Sequence, residues 1–383
     1  MRRFAFRLVS IAPIAFLIAC GGEDQKPPPA VPATTTATPA PIEAPSAATP
    51  APKASMVDMQ KTDLSMALDG INQHDAKKFA SVYADDAVIS VAGLNEVQGR
   101  EAISQNMAEW FETFSKVKLG FSRVWVKGDM MAIEWVINGT HHGELFGHKG
   151  TEQPIGHYGF SIVQFSPDGK VQREARYGDL GTVMTQVGGA KAKARAVPPV
   201  PAAPETFAAK GDEDKNVDVA KALLASLENK KEADFTALLT DDIEHDGLFH
   251  LETTKGKDEA KKFYKNFTTA FPDAKFEVSR AMAVGDFVIV ESMLKATHKG
   301  ALGQIQPTKR PVAVHLVDVF KVKDGKVARA WTYQNSLEMQ QQLGMFDVKA
   351  VNVPASQAAP AAAKPAATPA PAAPKPATPA PKK

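Results

Sequence analysis

Two histidines, one aspartate and a set of strand-borne aromatics are the residues of this chain that could do chemistry. His141 and His298 stand 157 positions apart, each at the end of an apolar alternating run. His141 follows Met131, Ile133, Trp135 and Ile137 at every second position, and His298 follows Val288, Val290 and Leu294. A strand with that alternation keeps one face buried, so each histidine comes to the rim of an apolar surface. There it could hold a polar ligand group or carry a proton, or serve as a hydrogen-bonded structural residue. His157 is expected in the next strand, on the same cavity. Asp179 ends a segment reading Val171, Arg173, Ala175, Tyr177 at alternate positions; the second set reads Val327, Arg329, Trp331, Tyr333 and Asn335. The aromatics predict that this side faces a cavity, lined by Trp135, His157, Tyr177, His298, Trp331, Tyr333 and Asn335. Asp179 could equally cap a short helix beginning at Leu180.

Metal chemistry finds little support. His141-His142-Gly143-Glu144 and His245-Asp246 with His250 carry ligand types. Neighbouring strand residues point to opposite faces, however, so His141 and His142 could not share an ion without a bulge. Cys20 is the single cysteine, which excludes an intramolecular disulfide. Neither a phosphate-binding glycine loop nor a Gly-x-Ser-x-Gly elbow is present. No metal and no cofactor are expected. The formal charge of +2 includes Arg2, Arg3 and Arg7 of the leader, and without them the chain is at about −1. That balance argues against nucleic acid as the partner.

The elements that position these residues come in duplicate. Gly99, Phe114, Arg123, Glu134, Thr140 and His141 match Gly256, Phe271, Arg280, Glu291, Thr297 and His298 at an offset of 157. Asp168-Gly169-Lys170-Val171 and Tyr177 match Asp324-Gly325-Lys326-Val327 and Tyr333 at 156. A near-constant offset over that length marks a duplicated domain, with a period too long for a solenoid. Within the first copy, Leu64, Leu68 and Ile71 recur at helical spacing. Asp75 can cap a second helix carrying Phe79 and Tyr83. A short strand spans 88–91, and a helix after Gly99 buries Ile103, Met107, Trp110, Phe111 and Phe114. Long strands are expected at about 116–127, 130–142, 153–166 and 170–180, then a short helix ending in glycine. Helices on one face of a curved antiparallel sheet describe an α+β unit whose open end is a pocket. Glu134 and Glu291, on the face opposite His141, are expected at solvent or at a domain contact.

Of the 28 prolines, five fall within 56–190 and 211–349, so two proline-poor blocks, each able to form a core, are set among segments that cannot. The expected organisation is a signal peptide at 1–19, a Pro/Ala/Thr-rich tether at 20–55, a domain at 56–190, an Ala/Pro linker at 191–210, a second domain at 211–349, and an Ala/Pro/Lys-rich disordered tail at 350–383. The tether, at roughly 3 Å per residue, could hold the first domain on the order of 100 Å from its anchor. The tail could touch an anionic polymer through Lys364, Lys375, Lys382 and Lys383.

Arg2, Arg3 and Arg7 precede an apolar run, Leu8 to Ala19, that is too short to span a bilayer. Leu17-Ile18-Ala19-Cys20 resembles the bacterial lipobox, which implies a lipidated Cys20 and a membrane anchor without a transmembrane helix. Gly21 in place of aspartate implies the outer membrane of the bacterial envelope, on its periplasmic or surface side.

The element order, Asp-Gly-Lys-Val before the last strand, Trp331 within it and Gln340-Gln341-Gln342-Leu343-Gly344 after it resemble the SnoaL-like polyketide or ester cyclases of the nuclear transport factor two-like superfamily. The resemblance covers both blocks and implies two tandem cone-shaped domains. It also implies that a carboxylate near the end of the last strand, here Asp179, can act as general base beside a substrate carbonyl, with His141 or Tyr177 holding that carbonyl. Asn335 cannot take a proton, so such chemistry would belong to the first copy alone. Two functions are therefore carried forward. The first is an envelope lipoprotein whose cones bind a small apolar molecule or an envelope protein without catalysis. The second is a cyclase- or isomerase-type enzyme using Asp179. Single cones of this fold commonly pair through their sheets, so pairing of the two copies within the chain is also expected.

Overall fold

The computed structural model describes residues 55–189, 193, 195–211, 213–247 and 252–346. Cys20, the leader and tether, His250 and the tail lie outside the described residues. The first copy runs α1 (Met56–Asn72), α2 (Ala76–Ala80), β1 (Tyr83–Val91), β2 (Val97–Gln98), α3 (Arg100–Thr113), β3 (Phe114–Lys127), β4 (Met130–His141), β5 (Pro154–Phe165), β6 (Val171–Gly178) and α4 (Leu180–Gln186). After β7 (Glu205–Ala208) the series returns as α5 (Lys215–Glu228), α6 (Glu232–Ala237), β8 (Leu239–Asp246), β9 (Thr254–Lys255), α7 (Lys257–Ala270), β10 (Lys275–Val284), β11 (Phe287–Thr297), β12 (Pro311–Lys323), β13 (Lys326–Tyr333) and α8 (Ser336–Gln342).

Local signals explain most of these boundaries. Ser55 caps α1 by accepting from the Asp58 N–H, and Asp75 caps α2 by accepting from Lys78, each satisfying a donor that the first turn leaves unpaired. The β3–β4 and β10–β11 hairpins turn on Gly128-Asp129 and Gly285-Asp286, whose glycines hold φ at 62° and 57°, a region where a side chain is strained. Tyr83, expected in the second helix, heads β1 instead, because α2 ends at Ala80.

The strands order as β2-β1-β6-β5-β4-β3-β7 and β10-β11-β12-β13-β8-β9. Neighbours are antiparallel except β1 with β6, β8 with β13, and β3 with β7. Register breaks at Ser115–Lys118 and Phe121–Arg123 bend β3, as bulges do, and curl the first sheet over α1 and α3. Ile103, Met107 and Phe114 are buried beneath that curve.

The segment 191–210 is more than the linker its composition predicts. Its proline-free end, Glu205–Ala208, pairs with β3 at the register Trp125 to Phe207, covering a sheet edge that would otherwise present unpaired backbone groups. Phe207 then stacks on Trp125 with ring centroids 5.8 Å apart.

Apolar residues gather in three places. One cluster fills each cone. The third joins the outer faces of the two sheets: Trp125, Phe160 and Tyr177 from the first meet Phe287, Val319 and Tyr333 from the second. Trp125 and Phe160 are fully buried there.

Candidate functional site

The first cone encloses a cavity of about 310 Å³. Leu64 and Ala67 of α1, Trp110 of α3, and Ile133 and Trp135 of β4 line it with apolar surface. Its floor is polar and comes from β5 and β6. Glu174 is buried, and both of its carboxylate oxygens are filled. Ser161 Oγ donates to Oε1 at 2.7 Å and Tyr83 OH donates to Oε2 at 2.5 Å. The Arg176 guanidinium donates through Nε to Oε1 and through Nη2 to Oε2, both at 2.9 Å. Trp135 Nε1 extends the network by donating to Ser161 Oγ at 3.0 Å.

These contacts set the charges. Burial pushes the Glu174 carboxyl up, but Arg176 together with the Tyr83 and Ser161 hydroxyls outweighs it and holds the group below the usual glutamate value. Burial and the neighbouring Glu174 charge drive the Tyr83 hydroxyl well above its ordinary value. The floor is thus a neutralised ion pair with saturated acceptors, which orients a ligand and takes no proton from it. A second carboxylate, Asp63 of α1, reaches the cavity wall; burial raises its pKa against the opposing pull of Lys170 at 3.8 Å.

Two residues expected in the cavity reach it. Trp135 lines it, and His157 lies beside Trp135 with ring centroids 5.5 Å apart in an edge-on contact. His157 Nδ1 is 3.2 Å from the Asp179 backbone N–H, and burial lowers its pKa, so the ring is neutral near pH 7.

The expected cavity face of β6 and β13 needs correction. Tyr177, Trp331 and Tyr333 lie outside the cones: they face the opposing sheet and line a cleft of about 830 Å³ between the copies, which His157 and Asp179 also reach. Tyr177 OH donates to Glu291 Oε1 at 2.7 Å, and Tyr333 OH donates to Glu134 Oε1. These contacts are reciprocal, since Tyr177 matches Tyr333 and Glu134 matches Glu291 between the copies. Arg123 grips Glu134 through two donors at 2.7 and 2.8 Å and lies 3.8 Å above the Trp331 ring. Alternation marks a buried face but does not say what buries it, and here the second sheet does. The side of β6 that reaches the cone instead carries Glu174, Arg176 and Gly178.

Asp179 lies outside the cone cavity, on a cleft between the copies. It caps α4, accepting from Thr182 N–H at 3.3 Å and from Thr182 Oγ1 at 2.5 Å. It also accepts from the Ser336 N–H at 3.1 Å and from the Ser336 hydroxyl. Asn335 plays the matching part. It accepts from Leu337 N–H at 3.2 Å to cap α8 and donates to the Ala92 carbonyl at 2.9 Å.

His141 and His298 are fully buried, packed on Phe114 and Phe271, with Nδ1 3.1 Å from Thr151 Oγ1 and Thr308 Oγ1. Burial lowers both pKa values. Each tethers the loop after its strand, and neither lines the cone cavities described for its copy. Among the described residues no three His, Cys, Asp or Glu side chains gather where they could hold a metal ion.

Glu174, Arg176, Ser161 and Tyr83 escaped the sequence reading. Gln172, Glu174 and Arg176 alternate as charged or polar residues, a pattern that a solvent-facing strand side also shows. The one available signal was that their face differs between copies, where Ala330 and Thr332 replace Glu174 and Arg176.

A family model described as SnoaL-like polyketide cyclase matches residues 62–187 and again 217–343. Among solved structures, the chain is similar to AclR, a putative hydroxylase from Streptomyces galilaeus, at 26% identity over 35% of this chain and 84% of that one, with a TM-score of 0.32. It is also similar to a putative SnoaL-like polyketide cyclase from Jannaschia sp. CCS1, at 18% identity over 36% and 97%, with a TM-score of 0.34. A third similar structure is IdmH, a putative polyketide cyclase from Streptomyces antibioticus, at 20% identity over 34% and 98%, with a TM-score of 0.30. No curated protein matches the chain.

Proposed function

The chain belongs to the SnoaL-like polyketide cyclase family through both of its copies, and we propose that it binds a small, largely apolar molecule in the first cone without transforming it. One observation carries this reading: the carboxylate on the cavity floor already accepts four hydrogen bonds and is neutralised by Arg176. A general base needs an open acceptor within reach of the substrate proton. Glu174 has none, Asp63 on the cavity wall is drawn to Lys170 at 3.8 Å, and Asp179 spends both oxygens on Thr182 and Ser336. The apolar walls and the volume suit a compact hydrophobic body, with the Glu174–Arg176 pair left to orient its polar end.

The same reading makes the protein an envelope lipoprotein held by lipidated Cys20 on the outer membrane, with the two copies working as one intrachain pair. The Leu17–Cys20 motif and the tether composition support the anchor. The reciprocal Tyr177–Glu291 and Tyr333–Glu134 bonds support the pair. Replacing Cys20 with serine should move the protein from the membrane to the soluble fraction and remove the acyl mass from its N-terminal peptide.

Native mass spectrometry of the chain purified from its own cells should reveal a small apolar ligand that leaves on denaturation. The hydrophobic fluorophore N-phenyl-1-naphthylamine should compete for the site, and Ala67→Trp, which fills the cavity, should weaken its binding at least about tenfold. Unchanged fluorophore affinity in Ala67→Trp would remove the cone from consideration. A product formed from the bound molecule, and lost in Asp179→Asn, would establish the enzyme instead.

A further inference from the structure

The second cone differs chemically from the first. Its cavity is smaller, about 100 Å³, and Phe235, Phe263, Phe267, Phe276 and Phe320 line it. One carboxylate, Asp318 of β12, faces into it from the sheet. Asp318 occupies the position of Ser161, while the positions of Glu174 and Arg176 hold Ala330 and Thr332. The ion pair of the first cone has therefore become an acid without its base.

Asp318 is buried and has one hydrogen-bond donor, the Thr332 hydroxyl, at 2.6 Å from Oδ1. Among the described residues no lysine or arginine forms an ion pair with it, and His245 is the basic side chain that shares the cavity lining. Burial against that single hydroxyl raises its pKa to about 6, so near pH 7 most molecules hold a negative charge in a cavity that aromatic rings also line. A second polar group points to the same space. Gln334 is buried, lines the cavity, and its side-chain nitrogen has no protein partner.

A carboxylate facing aromatic walls is the surrounding that a compact organic cation needs. The carboxylate supplies the countercharge, and the ring faces attract the cation through their quadrupoles. A hydrated metal ion fits poorly, because the cavity offers one carboxylate and an apolar lining in place of several oxygen ligands. We propose that the second cone binds a small organic ammonium ion, held by Asp318 and by the phenyl rings of Phe263, Phe267 and Phe276. A hydroxyl on that ion would satisfy Gln334, which points to amino alcohols and their N-methylated forms. This site stands apart from the first cone, and its failure would leave the apolar-ligand reading untouched.

Isothermal titration calorimetry of the full chain with tetramethylammonium chloride tests it, with the neutral isostere tert-butanol and sodium chloride as controls. Saturable binding of tetramethylammonium is expected, with tert-butanol at least about tenfold weaker. Asp318→Asn keeps the cavity shape and should erase that preference. Phe267→Leu keeps the cavity apolar and should weaken the cation several-fold while leaving tert-butanol unchanged; it carries the test if Asp318→Asn fails to fold. Absence of saturable heat, equal binding of tert-butanol, or undiminished cation binding in Asp318→Asn overturns the proposal.

Discussion

Glu174 and Asp318 are both buried carboxylates on the cavity side of a sheet, and their neighbours treat them in opposite ways. Glu174 is matched by Arg176, so removing the arginine strands a charge. Arg176→Met should cost about 3–5 kcal/mol, and adding Glu174→Leu should recover most of it, because a buried ion pair is worth little relative to apolar residues of similar size. Urea unfolding of the two variants checks this. Asp318 has no such partner, and its pKa is raised from the ordinary 3.8 to about 6. Between those values the folded chain binds a proton that the unfolded chain has released, so Asp318 favours folding below pH 4 and loses that contribution as pH rises through 6. Asp318→Asn should therefore stabilise the protein, and by about 1 kcal/mol more at pH 7.5 than at pH 5. Equal gains at both pH values would mean that the carboxyl titrates normally. Glu174 has the opposite sign: its lowered pKa contributes stability above the ordinary glutamate range that is lost as the solution is acidified.

At the scale of elements, the short helices α4 and α8 are the joints between the copies. Asp179 caps α4 and also receives the Ser336 N–H at the start of α8. Asp179→Ala should cost about 1–2 kcal/mol and Asp179→Asn much less, since asparagine also caps well. A loss with asparagine as large as with alanine would show that the charge, not the cap, matters. Gly181 lets the two helices touch. A Cβ there would lie 2.1 Å from Ser336 Oγ and 2.9 Å from Leu337 N, so Gly181→Ala should push α4 and α8 apart and cost about 1–3 kcal/mol, read as a lower melting temperature. β7 shows the same logic at a sheet edge, where four residues of a proline-rich segment become structure because β3 offers them a partner.

Over the whole molecule, each sheet uses one face for its own cone and the other for its twin. Trp125, Phe160 and Phe287 are buried by that second use, and the Arg123–Glu134–Tyr333 cluster lies among them. The two copies should then unfold together. Calorimetry of the wild type should give one transition, and Phe287→Asp, which places a charge in the contact, should split it into two and enlarge the scattering radius. Two independent transitions in the wild type would mean that the contact contributes little to stability.

The chain itself determined the duplication, the α+β elements and their helix caps, because these depend on local spacing and on identities repeated at a constant offset. Asp75, Asp179 and the hairpin glycines could be read this way before any fold was known. What covers each strand face was decided by the tertiary structure alone. Alternation has period two whether a ligand cavity, a second sheet or solvent lies beyond, so Tyr177 and Trp331 read as cavity residues, and nothing in the spacing marks Glu174 as one. Glu174 becomes the floor of a site through Tyr83, which is far away in sequence and reaches it because β1 lies parallel beside β6. Asp318 gains its character from the arginine that the second copy does not have, and only packing turns that substitution into an unbalanced charge.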